Sequence, residues 1–374
     1  MEKIIGWIAP PHSPSLAARE LLGKPCRAHV ESTLLEAGIP VAQDPDLAGS
    51  QDIILWVRED APCLSRNTLL AMTHAAQDGQ TSLLSSKSER LLLAVAFSKE
   101  ALLSLTKKVP LAEALNDLSN RPELLTDSMI FPAEHPSECI AVLDGAGYAS
   151  AFRTLRTRIA QKHMQRGVLL LEPDRTVIEA DVTIGAGTLI YGGNTLQGTT
   201  VIGENCTLYP NNRFQNAIIG DSTTVENSVL LDCSVGSHTT VGPFAYLRPK
   251  TKIGDHCRIG DFVEIKNSSI DDGTKVSHLT YVGDSDLGKD INLGCGVVFV
   301  NYDGKTKSRS KVEDHAFIGC NCNLVSPVHI GRNAYLAAGG TITEDVPDDA
   351  LYVARARGTI KPGWVKQRKE QGKL

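Results

Sequence analysis

The run Ser277-His278-Leu279-Thr280-Tyr281 sets an imidazole three residues before a phenol. A neutral imidazole can take a proton from an amine near pH 7, although a lone histidine is more often structural than catalytic. Cations at related positions strengthen the chemical reading. Arg248 stands in Leu247-Arg-Pro, and Lys266 stands 18 residues later in Glu264-Ile-Lys-Asn. If the chain coils every 18 residues, the two stack on one face, and paired cations hold a phosphate through charge-assisted hydrogen bonds. A third basic stretch, Val300-Asn-Tyr-Asp-Gly-Lys-Thr-Lys-Ser-Arg-Ser-Lys311, is too polar for a core and reads as a loop leaving a rigid scaffold, where binding groups tend to sit.

The scaffold is written in an aliphatic residue at every sixth position. The series runs Ile178, Ile184, Ile190, Leu196, Ile202, Leu208, Phe214, resumes from Val235 to Ile265, and returns from Val312 to Ile342. A period of six matches neither the 3.6 of a helix nor simple strand alternation, but it suits a chain that turns a corner every six residues. Each unit then forms one side of a triangular coil with its aliphatic side chain in a shared central stack. Roughly nine coils are expected, stacked at about 4.8 Å. Glycine follows many of these aliphatics, as in Ile184-Gly185 and Ile253-Gly254, where a corner needs either permissive backbone angles or close approach.

Composition sets wider limits. The 374 residues are 42% hydrophobic and 22% charged, with room for two domains, and the 5% aromatic content suits a narrow aliphatic core. A net charge of −5 gives no sign of nucleic-acid binding. Nine scattered cysteines argue for a reduced compartment rather than a disulfide framework, and no ligand set accompanies Cys320 and Cys322 to suggest a metal site. The first residues are too short an apolar run for a signal peptide and no 18-residue apolar stretch follows, so a cytoplasmic protein without membrane contact is expected. Residues 1–147 lack the six-residue period. Ile53 to Val57 reads as a buried strand and Ser65 to Gln77 as a helix capped by Ser65, together a small α/β domain. Residues 148–170 read as a connecting helix, 171–350 as the coiled domain and 351–374 as a tail.

Gly242-Pro-Phe-Ala-Tyr-Leu-Arg-Pro, Gly-Asp-Phe-Val-Glu-Ile-Lys (260–266), His278-Leu-Thr-Tyr-Val-Gly-Asp, Asn301-Tyr-Asp-Gly and Ala337-Ala-Gly together resemble one family. It is the bifunctional N-acetylglucosamine-1-phosphate uridylyltransferase and glucosamine-1-phosphate N-acetyltransferase family, in its acetyltransferase half, and the likeness covers about residues 148–370. The resemblance implies a left-handed parallel β-helix that assembles as a homotrimer with active sites at subunit interfaces. It also implies acetyl transfer from acetyl-CoA to the amine of glucosamine 1-phosphate, a step in supplying cell-envelope precursors. His278 then matches the general base. Arg248, Lys266, Tyr281, Asn292 and Lys307 match sugar-phosphate positions, and Asn301, Tyr302, Ala338 and Arg355 match acetyl-CoA positions. Asn292 and Asn301 have an alternative reading as polar corner residues, Lys307 as a solvated loop lysine, and Arg355 as part of a basic tail.

Cys295 and Cys320 depart from the family, which usually carries a small Ala and a Ser in contact with acetyl-CoA. Altered CoA affinity is expected, because a thiol donates a weaker hydrogen bond than a hydroxyl. A cysteine nucleophile is the alternative. The N-terminal part departs further. Ile8-Ala-Pro-Pro-His-Ser-Pro-Ser-Leu stands in place of a glycine-rich phosphate loop, and Asp144-Gly-Ala-Gly-Tyr lacks the asparagine expected of a metal site. Fragments survive: Leu22-Gly-Lys-Pro-Cys-Arg resembles the motif that follows that loop, and Glu59-Asp60-Ala-Pro resembles the family's metal-binding aspartate region. The domain reads as a truncated, degenerate nucleotidyltransferase, for which neither Mg²⁺ nor uridylyl transfer is expected. Two rival classes stay open: a noncatalytic trimeric scaffold or regulator, and a nucleotidyltransferase with an atypical UTP site drawing on Lys24 and Asp60.

Overall fold

A computed structural model describes residues 3–43, 53–86, 91–107, 110–116, 118, 125 and 128–374. The chain divides into two compact units, Met1–Val182 with Thr195–Gly198, and Thr183–Asn194 with Thr199–Leu374.

In the first unit, the apolar runs form a mixed sheet of five strands, β1 (Ile4–Ala9), β2 (Ile53–Arg58), β3 (Ser82–Ser85), β4 (Leu92–Phe97) and β5 (Met129–Ile130), in the order β1-β2-β4-β3-β5. Strand β2 is buried along its whole length, as a central strand covered on both faces must be. One face packs Val30, Leu34, Leu69 and Met72, and the other packs Trp56, Phe97, Leu105 and Leu115. The helix Arg66–Gln77 starts where Ser65 accepts a hydrogen bond from the Thr68 amide at 3.2 Å. A 21-residue helix spans Gly145–Gln165, beginning ahead of the segment expected from sequence. Its N-cap is Asp144, whose carboxylate accepts from the Gly147 amide at 2.7 Å. The Asp144-Gly-Ala-Gly stretch therefore starts a helix.

The second unit is built from short strands that run parallel from coil to coil, part of a left-handed solenoid of about ten turns, one more than the sequence count. One face of the prism is a nine-stranded sheet running in order from Thr183–Ile184 to His329–Ile330. The six-step aliphatics fill the axis: Ile202, Leu208, Phe214, Val241, Leu247, Ile259, Ile318 and Leu336 are all buried. Each such side chain contributes about 1.5–3 kcal/mol by leaving water.

The breaks in the sequence series are not breaks in the stack. Between Phe214 and Val235 the axis is carried by Ile219, Val225 and Leu230, and beyond Ile265 by Ile270, Val276, Val282, Leu287, Leu293 and Phe299, all buried. Some sides have five residues rather than six, so strict counting loses the frame. The glycines after the aliphatics serve close approach rather than left-handed backbone. A Cβ on Gly185 would lie 2.6 Å from the Glu204 amide nitrogen of the next coil, and one on Gly319 would lie 2.5 Å from that of Ala338. Left-handed corners are instead held mostly by other residues, among them Asn205, Asn211, Asn227, Asn267 and Asn321, whose short polar side chains tolerate that region. Phe244, Phe262 and Leu279 occupy it too, where bulky side chains are strained.

Candidate functional site

The strand Lys275–His278 carries His278 to the edge of the prism, and the chain turns at Leu279 into the next strand, Tyr281–Gly283. Successive coils place one residue each along this edge. Leu279 N donates to Asp261 O at 3.0 Å, Gly296 N to His278 O at 3.4 Å, Asn321 N to Cys295 O at 2.8 Å and Gly339 N to Cys320 O at 2.8 Å. The result is a single column, Asp261, His278, Cys295, Cys320 and Ala338. Arg355 closes it, its guanidinium donating to Ala338 O at 2.8 Å. Five residues scattered from 278 to 355 in sequence thus share one edge, at about 4.8 Å per coil. Beside them runs an exposed apolar ladder, Phe244 stacked on Phe262 at 5.4 Å, then Leu279.

Past the corner, the next face gathers the cations. Leu247 pairs with Ile265, so Arg248 and Lys266 are neighbours on adjoining coils. Arg248 donates to Glu264 Oε1 at 2.8 Å, and its guanidinium is held further toward the charged form chiefly by that bond. Lys266 reaches Asp284 at 3.6 Å. The Lys307 ammonium is pushed below the usual lysine range, chiefly by Lys266 beside it, with Arg248 adding to the effect. Three cations against the two carboxylates of Glu264 and Asp284 leave a positive charge unmatched, which favours an anionic ligand.

Asp284 organises this face. Its carboxylate accepts from the side-chain amides of Asn267 and Asn301, tying Asn301 to the lysine pair. Burial pushes the Asp284 carboxyl up, but those two hydrogen bonds and Lys266 outweigh it and leave the group below its ordinary value. Tyr281 and Asn301 converge over Gly283, where a Cβ would lie 2.5 Å from the Tyr281 hydroxyl and 2.8 Å from Asn301 Nδ2. The basic excursion folds back on itself: Tyr302 bridges Lys307, Ser308 N donates to Asn301 O at 2.9 Å, and the Tyr302 hydroxyl donates to Gly304 O at 2.6 Å. Arg309 pins its end, donating to Asn267 O at 2.8 Å and pairing with both Asp286 oxygens.

The structure therefore brings together Arg248, Lys266, Tyr281 and Asn301 on one face, with Lys307 reaching Lys266 from the excursion and Tyr302 beside Lys307 within it, and His278, Cys295, Cys320, Ala338 and Arg355 along the adjoining edge. Asn292 is not among them. It lies in the strand Asn292–Leu293 between Lys275 and Phe317, in the sheet of His278 and three residues short of the edge. Cys320 is exposed, and its neighbours along the edge are Cys295 and Ala338, neither of them a base. Asp261, Asp284 and Arg309 were not singled out in the sequence, although Asp261 and Asp284 fall inside the quoted motifs.

Residues 232–267 match a family model described as bacterial transferase hexapeptide (six repeats). The bifunctional protein GlmU of Clostridium kluyveri is 53% identical over 228 residues, covering 61% of this chain and 50% of that protein. The resemblance is to the bifunctional GlmU proteins. The GlmU of Geobacillus sp. (strain WCH70) is 50% identical over 240 residues, 64% of this chain and 52% of its own length. The chain thus spans about half the length of the curated GlmU relatives it matches. Among solved structures, a UDP-N-acetylglucosamine acyltransferase from Campylobacter jejuni is similar at 14% identity and a TM-score of 0.32, covering 55% of this chain and 82% of its own.

Proposed function

We propose that the protein is an acetyl-CoA-dependent N-acetyltransferase whose acceptor is glucosamine 1-phosphate, releasing CoA and N-acetylglucosamine 1-phosphate. The observation that carries this reading is the meeting of an edge and a face. An edge column of His278, Cys295, Cys320, Ala338 and Arg355 suits a long thin ligand such as the pantetheine arm, and it opens at His278 onto the Arg248, Lys266 and Lys307 cluster, which suits a sugar phosphate. His278 Nε2 takes a proton from the acceptor amine, the amine nitrogen bonds to the thioester carbonyl carbon, and the C–S bond breaks to release CoA thiolate. GlmU relatives at 50–54% identity support an acetyltransferase role.

The exposed ladder of Phe244, Phe262 and Leu279 suits burial against another subunit, and we extend the reading to the homotrimer with sites between subunits that the resemblance implies. No helix among the described residues is long and apolar enough to cross a membrane; we place the enzyme in the cytoplasm, with its acetyl-CoA. The absence of uridylyl transfer draws support from Asp60, which the resemblance aligns with a metal-binding aspartate. Asp60 is fully buried, and its oxygens accept from Arg58 Nε at 2.8 Å, Arg58 NH2 at 2.7 Å and His12 N at 2.8 Å. A carboxylate so engaged is a poor ligand for Mg²⁺.

The test is CoA-thiol release from acetyl-CoA and glucosamine 1-phosphate, beside His278→Ala and with glucosamine as control acceptor. Turnover that needs the phosphate and falls about a hundredfold or more in the variant is expected. No turnover with any amino-sugar phosphate overturns the enzyme reading and leaves a scaffold.

A further inference from the structure

We propose that Asp261 is a positioning residue that holds His278 in the tautomer protonated at Nδ1, so that the lone pair of Nε2 is the one presented to the acceptor amine. The inference rests on the acetyltransferase reading for the identity of the proton donor, and on geometry for the rest. Asp261 Oδ1 stands 2.5 Å from His278 Nδ1, and since a carboxylate can only accept, the ring nitrogen is the donor. An imidazole donating from one nitrogen is left with its lone pair on the other.

The backbone is built to make this contact. Most strands of the solenoid have two or three residues, but Arg258–Asp261 and Lys275–His278 have four each and pair through to their ends, with Asp261 opposite His278. The extension runs through Gly260. A Cβ there would lie 2.0 Å from Ser277 O, so only glycine lets the two strands stay paired up to the edge. Glu264, which stands opposite Tyr281 on the adjoining face, is taken by Arg248 at 2.8 Å. The Asp261 carboxyl lies below its ordinary range, chiefly through the hydrogen bond from His278, which agrees with an ionised acceptor.

Solid-state ¹⁵N spectra of histidine-labelled protein read the tautomer directly, with His278→Ala locating the signal among the ten histidines. The wild type is expected to show His278 protonated at Nδ1, and Asp261→Ala to move it toward the Nε2-protonated form. The same variant should lower kcat about tenfold to a hundredfold while changing KM for either substrate less than about threefold. Asp261→Asn keeps the shape of the side chain. Its amide can face the ring with either end, so it should give a mixed tautomer and a smaller loss, and it serves if the alanine variant fails to fold. An Nε2-protonated ring in the wild type, or unchanged spectra and kcat in both variants, overturns the proposal. The spectra decide the Asp261–His278 link even if glucosamine 1-phosphate is not the acceptor, whereas absent turnover in wild type counts against the function alone.

Discussion

Lys266 and Lys307 hold two ammonium groups against one another, and Asp284 offsets only part of their charge. A phosphate dianion placed between them would restore the balance, so Lys307→Gln is expected to raise KM for glucosamine 1-phosphate about tenfold with KM for acetyl-CoA little changed. The sign of the pH effect follows from the direction of the shift. Because the Lys307 pKa is depressed, its positive charge is lost earlier on raising pH than an ordinary lysine's would be. Affinity for the phosphate substrate should weaken on that alkaline limb, and the limb should be absent in Lys307→Gln; steady-state kinetics across pH checks both. At this scale the sequence showed the cations and the imidazole by type and spacing. It hid Asp261 because its partner His278 lies 17 residues away, one short of the assumed coil, and Asp284 because two of its three partners, Asn267 and Asn301, lie at that same offset. Arg309 was hidden because its partners Asp286, Ser285 and Asn267 lie back along the chain, 23, 24 and 42 residues away.

Adjacent coils approach so closely at the strand ends that a side chain has no room there. For Gly260→Ala, the added carbon meets a backbone oxygen of the next coil, which cannot swing aside as a side chain could. A loss of roughly 2 kcal/mol or more is expected, read by denaturant unfolding, with kcat falling further than stability alone explains because His278 is displaced with Ser277. A Gly304→Ala control, in a loop position where a Cβ meets nothing within 4 Å, separates packing from backbone freedom, since its φ of +98° makes it sensitive to the latter alone. The repeating element was legible from the aliphatic period. The conformations at its corners were not, because asparagine, histidine and phenylalanine all serve there and no single residue type marks the left-handed turn.

The two units carry very different amounts of recognisable chemistry. The second unit holds every candidate acetyltransferase residue, while in the first unit the one carboxylate aligned with metal binding is sealed by Arg58. With UTP, Mg²⁺ and N-acetylglucosamine 1-phosphate, pyrophosphate release is therefore expected to stay at background, and Arg58→Ala, which removes the ion-pair partner of Asp60 but leaves the His12 amide on it, should not restore it because the glycine-rich loop is also missing. Release at an enzymatic rate would revive the atypical nucleotidyltransferase. The alternation of helix and strand in the first unit was readable from sequence. That β4 runs antiparallel to both β2 and β3 was not, since pairing direction leaves no trace in apolar runs covered on both faces.

The excursion between Phe299 and Val312 shows where such a chain can change length. Phe299 still pairs with Leu324 and Leu287 with Val312, so the detour is absorbed entirely at a corner and the ladder resumes in register on both sides. A residue inserted within a two-residue strand has no such outlet, since it would turn the aliphatic outward and every later contact on that side with it. Deletions and insertions should therefore be survivable at corners and ruinous between them, so that the solenoid behaves as a text with fixed lines and adjustable margins.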